Sequence, residues 1–350
     1  MKIVERKAPA AVLMLAVAIS ALLSSNAWAQ YTRTDLVSNQ AGVASFTDPD
    51  LINGWGLTRS SGSPFWVSDN VTGKSTLYNG AGVKRSLVVT IPPASGNGAG
   101  TPTGTVFNIT IGSATPAFAV SKNGATAPAF FLFDTLDGTI SGWNPTVDPT
   151  NAVIAAVTSG ATYTGLAIAS TESGDFLYAA DNGPRSRVDI FDSNFKLVNS
   201  FTDPAITGGF APYGIQNIHG NIWVTFGGNK SSTGFVDKFD TAGNLLMRIP
   251  SNAPFHSPWG LAMAPANFGS FSGALLVANN IPKGRIVALD PTTGAFLGVL
   301  RDTSGQAIEI DQIWAIQFGN GGQAGLPNQL FFTAGPNNYA NGLFGMITAQ

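Results

Sequence analysis

The sequence contains no cysteine, only two histidines and few charged residues, which make up 11% of its 350 positions. Without cysteine there is no disulfide, no thiolate metal ligand and no site for cysteine lipidation. The net charge is only −2 and no basic stripe is present, which argues against a nucleic-acid-binding protein. Amphipathic helical spacing is absent after the N-terminal region, and the 41 glycines and 21 prolines disfavour helix interiors. The composition therefore favours short strands and turns.

A strand-rich motif returns six times along the chain. Each copy has an apolar stretch built on one small residue, an apolar run ending at a turn, and a further strand-like run, as in residues 53–58, 65–70 and 75–79. The small residues are, in chain order, Gly56, Gly104, Gly165, Gly214, Gly260 and Ala315. Repeats of this length made of short strands are typical of propellers. We therefore predict an all-β fold, a six-bladed β-propeller.

The two ends of the chain predict how this propeller closes. The sixth copy has only three strand-like runs, whereas a spare run at residues 32–38 precedes the first copy. We expect this N-terminal strand to pair with the last blade, which leaves no large open edge. The second copy is the longest, and we assign its extra length to an insertion at about Ser95–Pro128, rich in glycine, alanine, proline and threonine.

Residues 1–29 have the features of a signal peptide. A basic start is followed by the apolar run Ala10–Leu23 and by the small-x-small cleavage pattern of residues 27–29. We predict cleavage before Gln30, export to the periplasm or the extracellular space, and a mature propeller of residues 30–350. The apolar run is too short for a comfortable membrane span, so no membrane-spanning segment is expected.

Several of these stretches resemble an uncharacterised family of exported bacterial β-propeller proteins. The resemblance covers essentially all of the predicted mature chain and is most specific at Trp314–Pro336, with further matches at Phe65–Gly80 and Ser257–Ala262. It implies a propeller and export, but no established activity. Some relatives end in a PEP-type hydrophobic sorting tail. This chain ends in Met346–Gln350 without one, from which we expect a free soluble protein. We separately expect a monomer.

The pattern is also similar, more distantly, to NHL-repeat and gluconolactonase-like propellers, whose sites lie on one face around the channel. In a blade, the innermost strand starts on the face where the second strand ends, so residues from both positions border one channel mouth. The candidate ligand-binding residues there are Trp55, Asp69, Asp134, Asp181, Tyr213, His256, Trp259, Asn279 and Trp314. Each can also be purely structural, because aromatics wedge between blades and strand-end Asp or Asn side chains cap turns.

Two functions fit this set, and the sequence leaves open whether the protein is an enzyme. The first is a non-catalytic propeller that binds a glycan, a peptide or a cell-envelope component through its aromatic mouth. The second is a metal-assisted, lactonase-like hydrolase, in which Asp69, Asp134, Asp181 and Asn279 would hold calcium. His256 is a candidate general base because its ordinary pKa is near neutral. No G-x-S-x-G nucleophile elbow is present, so no catalytic residue is assigned.

Overall fold

The structure is a computed structural model that describes residue 1 and residues 30–227, 233–249 and 254–350. The predicted signal peptide, apart from Met1, lies outside the described residues. Six antiparallel sheets are arranged as a six-bladed propeller, and helical structure in the described ranges is limited to a 3₁₀ turn at Gly269–Phe271. The predicted fold class is confirmed.

Within each blade the strands follow one another from the channel outward. Two strands precede the first blade, β1 (Tyr31–Ser38) and β2 (Phe46–Thr47). Blade 1 contains β3 (Gly54–Thr58), β4 (Phe65–Asp69), β5 (Lys74–Tyr78) and β6 (Lys84–Thr90). Blade 2 begins with β7 (Pro102–Phe107), is interrupted by the hairpin β8 (Ala119–Lys122) and β9 (Ala125–Pro128), and ends with β10 (Phe131–Thr135), β11 (Thr139–Trp143) and β12 (Val153–Val157).

The remaining blades repeat this order. Blade 3 contains β13 (Tyr163–Thr171), β14 (Gly174–Asp181), β15 (Arg187–Phe191) and β16 (Leu197–Phe201). Blade 4 contains β17 (Ala211–Ile218), β18 (Asn221–Gly227), β19 (Phe235–Phe239) and β20 (Leu245–Arg248). Blade 5 contains β21 (Pro258–Met263), β22 (Leu275–Asn279), β23 (Ile286–Leu289) and β24 (Phe296–Val299). Blade 6 contains β25 (Ile313–Phe318), β26 (Gln329–Ala334) and β27 (Leu343–Ala349).

The N-terminal strand closes the propeller, as predicted. Strand β1 pairs antiparallel with β27, from Tyr31 opposite Ala349 to Ser38 opposite Leu343, and so becomes the fourth strand of blade 6. The Tyr31 ring is fully buried, and its hydroxyl donates a hydrogen bond to the carbonyl of Phe268 at 3.0 Å. Closure therefore rests on the hydrogen-bond ladder between β1 and β27 and on the burial of Tyr31, which is bonded to Phe268 of blade 5.

A β-bulge interrupts every innermost strand at the same place. In blade 1, Gly54 pairs with Asp69 and Leu57 with Val67, so β3 has one residue more than β4 across this interval. The other five blades shift register in the same way. The bulge pairs are Trp55-Gly56, Thr103-Gly104, Thr164-Gly165, Tyr213-Gly214, Trp259-Gly260 and Trp314-Ala315. Because a bulge re-aims the side chains beside it, the repeat motif marks the point where each blade presents a residue to the channel.

The small residue of each bulge lets neighbouring innermost strands approach closely. A Cβ atom added to Gly56 would lie 2.3 Å from the carbonyl oxygen of Thr103 in the next blade. A Cβ on Gly214 would lie 2.1 Å from the carbonyl oxygen of Trp259. Such contacts are far below van der Waals distance, so larger residues would push the blades apart. The channel between these strands is correspondingly narrow, with a cavity of only about 20 Å³.

The predicted extent of the insertion in blade 2 is wrong. Residues 102–107, inside the predicted Ser95–Pro128 segment, form the innermost strand β7. The true addition lies between β7 and β10 and contains the β8–β9 hairpin. The error has a physical cause: β7 carries the small bulge residue of an innermost strand without a neighbouring aromatic residue, so its Pro-Thr-Gly-Thr sequence has the composition of a loop.

Candidate functional site

Four of the predicted aromatic residues converge at the channel mouth where the innermost strands begin, here called the top mouth. Trp55 stacks on Trp314 with ring centroids 3.6 Å apart and 17° between the planes. Trp259 and Tyr213 each meet Trp314 edge to face, both at 5.8 Å. Edge-to-face and offset-stacked arrangements are favoured by the aromatic quadrupole. Four separate blades thus contribute to one aromatic cluster.

A fifth aromatic residue, which the sequence argument missed, completes this cluster. Tyr339 lies 5.5 Å from Trp314, at a tilt of 33°. It follows Asn337 and Asn338 in a turn after β26, where all three residues have positive φ. The pair of asparagines, which tolerate this conformation, was the available signal for a tight turn that reaches back to the mouth. We call Trp55, Tyr213, Trp259, Trp314 and Tyr339 the aromatic plug.

The plug fills the top mouth instead of lining an open pocket. Its three tryptophans are buried, whereas Tyr213 and Tyr339 are only half-buried. Burial raises the pKa of the Tyr213 hydroxyl well above its ordinary value, and Tyr339 adds to this effect. The Tyr213 hydroxyl therefore stays protonated and can act in hydrogen bonding. The surface that a ligand meets at this mouth consists of the two tyrosines, with the indoles beneath them.

Hydrogen bonds hold two indoles in place and leave the third without a partner. Trp259 Nε1 donates to the carbonyl of Thr164 at 2.9 Å, and Trp314 Nε1 donates to Asn53 Oδ1 at 2.8 Å. Trp55 Nε1 is buried and has no hydrogen-bond partner among the described residues. A buried indole N–H without a partner is unusual in a folded protein, because it loses its hydrogen bond to water.

The predicted carboxylates do not join the plug. Asp69 is fully buried beside the acidic pair Asp48 and Asp50, where Lys84 forms ion pairs with both members of the pair at 2.8 and 2.9 Å. Burial raises the pKa of Asp69 well above its ordinary value, and the two neighbouring carboxylates raise it further. Neither carboxyl oxygen of Asp69 has a hydrogen-bond partner among the described residues. Burial and the neighbouring carboxylates thus both favour the neutral form of Asp69.

Asp134 lies between blades 2 and 3. Its Oδ1 accepts hydrogen bonds from the hydroxyl of Thr103, at 2.7 Å, and from the backbone N–H of Gly104. Its Oδ2 is buried and has no partner in the part of the chain that the structure describes. Burial raises the pKa of Asp134 to about 7, although these hydrogen bonds oppose the rise. Asp134 therefore supports the bulge of β7 and is a poor ligand for an ion in the channel.

Asp181 is neutralised within its own blade. One carboxylate oxygen accepts hydrogen bonds from the backbone N–H groups of Thr162 and Gly183, and the other accepts from Arg185 Nε at 2.7 Å. Arg185 also contacts Asp189, which is fully buried. Burial alone would lower the pKa of Arg185, but the two carboxylates raise it above its ordinary value. This network holds the turn between β14 and β15.

Asn279 and His256 lie at a separate cleft on blade 5. Asn279 is buried, with Oδ1 accepting from the backbone N–H of His256 at 3.1 Å and Nδ2 donating to the carbonyl of Pro254 at 2.9 Å. The cleft has a volume of about 280 Å³ and is also lined by Lys283 and Glu309. No member of the aromatic plug lines it. His256 is therefore not positioned as a base for chemistry on the plug.

The calcium hypothesis finds no assembled ligand set. Among the described residues, no three His, Cys, Asp or Glu side chains are grouped so that they could hold a metal ion. Asp181 is committed to Arg185, and the amide of Asn279 is committed to backbone groups. The four proposed ligands thus do not fit a shared calcium ion in this arrangement. Calcium remains a prediction that metal analysis can test.

Comparison with known proteins places the chain in a family. It is 31% identical over 338 residues to "Uncharacterized protein R648" of Acanthamoeba polyphaga mimivirus, covering 89% of this chain and 78% of the viral protein. The chain belongs to the same family as that protein. No family model matches the sequence. The relative is viral, so the bacterial origin and the export implied by the sequence resemblance stay predictions.

Solved structures confirm the propeller architecture. A streptogramin B lyase superposes with a TM-score of 0.56 and 11% identity, covering 93% of this chain and 100% of the lyase. A Bacteroides thetaiotaomicron protein of unknown function also gives a TM-score of 0.56, with 12% identity and coverage of 91% and 76%. At such identities the likeness concerns the fold alone. In the part of the chain that the structure describes, no helix has the length and apolar character needed to cross a membrane.

Proposed function

We propose that the protein is an exported, non-catalytic propeller that binds a glycan, a peptide or a cell-envelope component at the top mouth. The observation that carries this proposal is the aromatic plug, in which five rings from four blades meet on the channel axis. Aromatic faces and amphipathic tyrosines are the groups that bind sugar rings and peptide side chains through stacking and hydrogen bonding. Export rests on the N-terminal sequence features.

The chemistry of the plug favours binding over catalysis. Its polar groups are two phenols and one unpartnered indole N–H, and none of these exchanges a proton readily near neutral pH. The hydrolase alternative would need a metal centre or an acid–base pair at the mouth. Of the carboxylates that were candidates for this role, Asp134 is bonded to the bulge of β7, Asp181 forms an ion pair with Arg185, and Asp69 is buried beside Asp48 and Asp50.

The proposal can be tested by titrating purified protein with neutral oligosaccharides such as chitohexaose and cellohexaose, with tryptophan fluorescence as the readout. Ligand stacking at the plug should change the emission of its indoles. Tyr339→Ala should reduce affinity at least tenfold, because it removes an accessible ring without removing a buried one. Phe296→Ala, which truncates an exposed ring on blade 5, is the matched control.

Equal affinity in Tyr339→Ala and in the control would place any binding away from the plug. Absence of saturable binding to both oligosaccharides and to a random peptide library would overturn the proposed function. Mass spectrometry of protein from the culture medium and periplasm tests export separately, since the predicted product begins at Gln30.

A further inference from the structure

The opposite end of the channel, here called the bottom mouth, opens into a cleft of about 260 Å³. It lies where the innermost strands end, and five blades contribute to its wall. Val106, Phe107 and Ile168 form an apolar side. Arg59, Gln216 and Gln317 supply charge and amide groups. No acidic side chain lines this cleft, although the protein has a net negative charge.

Arg59 is fixed in this wall by backbone contacts. Its Nε donates to the carbonyl of Phe318 at 2.7 Å and its Nη2 donates to the carbonyl of Gly319 at 3.0 Å. These two bonds use one edge of the planar guanidinium. The other edge, formed by Nη1 and the second hydrogen of Nη2, is the fork that binds a carboxylate or a phosphate through two parallel hydrogen bonds.

The charge of Arg59 is not neutralised within the described residues. Among the described residues, no Asp or Glu oxygen lies within ion-pair distance of the Arg59 guanidinium. Most of the other described arginines form ion pairs. The side chain is half-buried, and burial lowers its pKa. A guanidinium that is partly removed from water and has only two neutral carbonyl partners gains strongly from an added anion.

A second unpartnered polar group lies beside this charge. The Oε1 atom of Gln317 is buried and has no hydrogen-bond partner among the described residues. Gln317 and Gln216 line both the cleft and the narrow channel above it. A ligand that enters the cleft can therefore offer its anionic group to Arg59, in a wall that also contains Gln317 and Gln216, with its apolar part against Phe107 and Ile168.

From this arrangement we propose that the bottom mouth binds a small ligand that combines an oxyanion with an apolar body. The oxyanion, a carboxylate or a phosphate, pairs with the open edge of Arg59. The site lies at the opposite end of the channel from the aromatic plug, so it does not depend on the function proposed for the top mouth.

Benzoate, phenyl phosphate and the neutral benzamide are suitable probes, because they share one ring and differ in the charged group. Binding is measured by ligand-observed NMR and by heteronuclear chemical-shift titration of the full-length mature protein. We expect saturable binding of at least one anion, with benzamide at least tenfold weaker. Benzoate tighter than phenyl phosphate identifies a carboxylate site, and the reverse order identifies a phosphate site.

Two variants locate the binding. Arg59→Gln should weaken the bound anion at least tenfold, whereas Arg85→Gln removes the same charge from an exposed side chain and should change nothing. Because Arg59 also bridges blades 1 and 6, Gln317→Glu provides a test that keeps all Arg59 contacts. Gln317→Glu keeps nearly the same side-chain size but adds a negative charge to the cleft, and it should also abolish anion binding. Gln306→Glu adds the same charge at an exposed position and should leave anion binding unchanged.

The proposal is overturned if neither anion saturates a site, if benzamide binds as well as the anions, or if anion affinity survives Gln317→Glu. Chemical-shift changes confined to the blade 5 cleft around Lys283 would also overturn it, because they would assign the anion to another cation.

Discussion

Trp314 of the last blade stacks on Trp55 of the first blade, with ring centroids 3.6 Å apart. The two residues occupy the same position in their blades, at the bulge of the innermost strand. Their contact therefore seals the junction between the first and last repeats on the channel side, while β1 seals it on the outer side. The hydroxyl of Thr333, which donates to the carbonyl of Trp55 at 2.6 Å, adds a hydrogen bond across the same junction.

Replacing Trp314 should destabilise the closed propeller. Trp314→Ala removes contacts with four other rings and the hydrogen bond to Asn53, and we expect a loss of about 3–5 kcal/mol in the free energy of unfolding. Urea unfolding followed by circular dichroism measures this change. Phe296→Ala, at an exposed ring, should stay within about 0.5 kcal/mol of the wild type. A similar small effect for Trp314→Ala would show that the plug contributes little to stability.

Asp134 should make stability depend on pH. Its pKa is about 7 in the folded protein and 3.8 in an ordinary environment, so the native state keeps a proton that the unfolded state releases between these values. Stability should therefore fall as the pH rises from about 4 to 7, and level off above that. Asp134→Asn is a neutral isostere that should remove this slope and gain about 4 kcal/mol relative to wild type on going from pH 4 to pH 8.

Urea unfolding at pH 4, 6 and 8 measures whether the free energy of unfolding falls with rising pH, as the raised pKa of Asp134 predicts. Asp290 is a useful control because backbone N–H groups of Thr293 and Thr292 lower the pKa of its exposed carboxyl. Asp290→Asn should therefore show no change of its effect between pH 4 and 8, because the stabilisation from a lowered pKa is present above the ordinary value of 3.8 and is lost only below it. Parallel pH profiles for Asp134→Asn and the wild type would contradict the assignment of a raised pKa.

Arg185 should be more important for stability than a surface arginine. Arg185→Met leaves Asp181 and Asp189 buried without this cation, although Arg187 still contacts Asp189. We expect a loss of about 3 kcal/mol, since an unpaired buried charge is costly. Arg285→Met breaks an exposed pair with Glu309 and should cost less than about 1 kcal/mol. Thermal unfolding of both variants makes the comparison, and equal melting temperatures would refute it.

Deleting residues 30–40 should open the propeller. The deletion removes β1, so that β27 becomes an unpaired outer edge and the buried Tyr31 ring is lost. We expect a sharp fall in melting temperature and a tendency to self-associate through the new edge. Differential scanning calorimetry and size-exclusion chromatography report these effects. Tyr31→Phe keeps the strand but loses one hydrogen bond, and should cost only about 1 kcal/mol. An unchanged melting curve after deletion would show that closure lies elsewhere.

The six blades and their closure could be read from the sequence because the bulge imposes a strict requirement. A small residue is needed wherever one innermost strand touches the next, so Gly56, Gly104, Gly165 and Gly214 recur with the period of the blade. The aromatic residues immediately before Gly56 and Gly214 share the bulge with these glycines, so the same repeat gives their backbone position in the blade.

The partners of the three strand-end carboxylates could not be predicted from the repeat in this way. Asp69, Asp134 and Asp181 align in the repeat, but each sits at a strand end where the next turn decides its partners. Arg185 turns Asp181 into an ion pair, whereas Asp134 accepts hydrogen bonds from Thr103 and Gly104 of its own blade. Arg185 lies in a turn outside the repeated motif, and Thr103 occupies the bulge position that holds Trp55 in blade 1. A shared position in a repeat thus predicts a common backbone site but not a common chemistry.

The pairing of β1 with β27 also sets the order of events during folding. Tyr31 leaves the ribosome early, yet its ladder partner Ala349 is at the far end of the chain. Blades 1 to 5 contain only strands that are near one another in sequence, so they can form their sheets as they emerge. Blade 6 is completed last, and its strands β1 and β27 are the paired strands farthest apart in the sequence. We therefore expect its closure to be the slow, non-local step. A chain that lacks β27 would therefore expose two unpaired strand edges, those of β1 and β26. Closure of the propeller depends on the seven residues of β27.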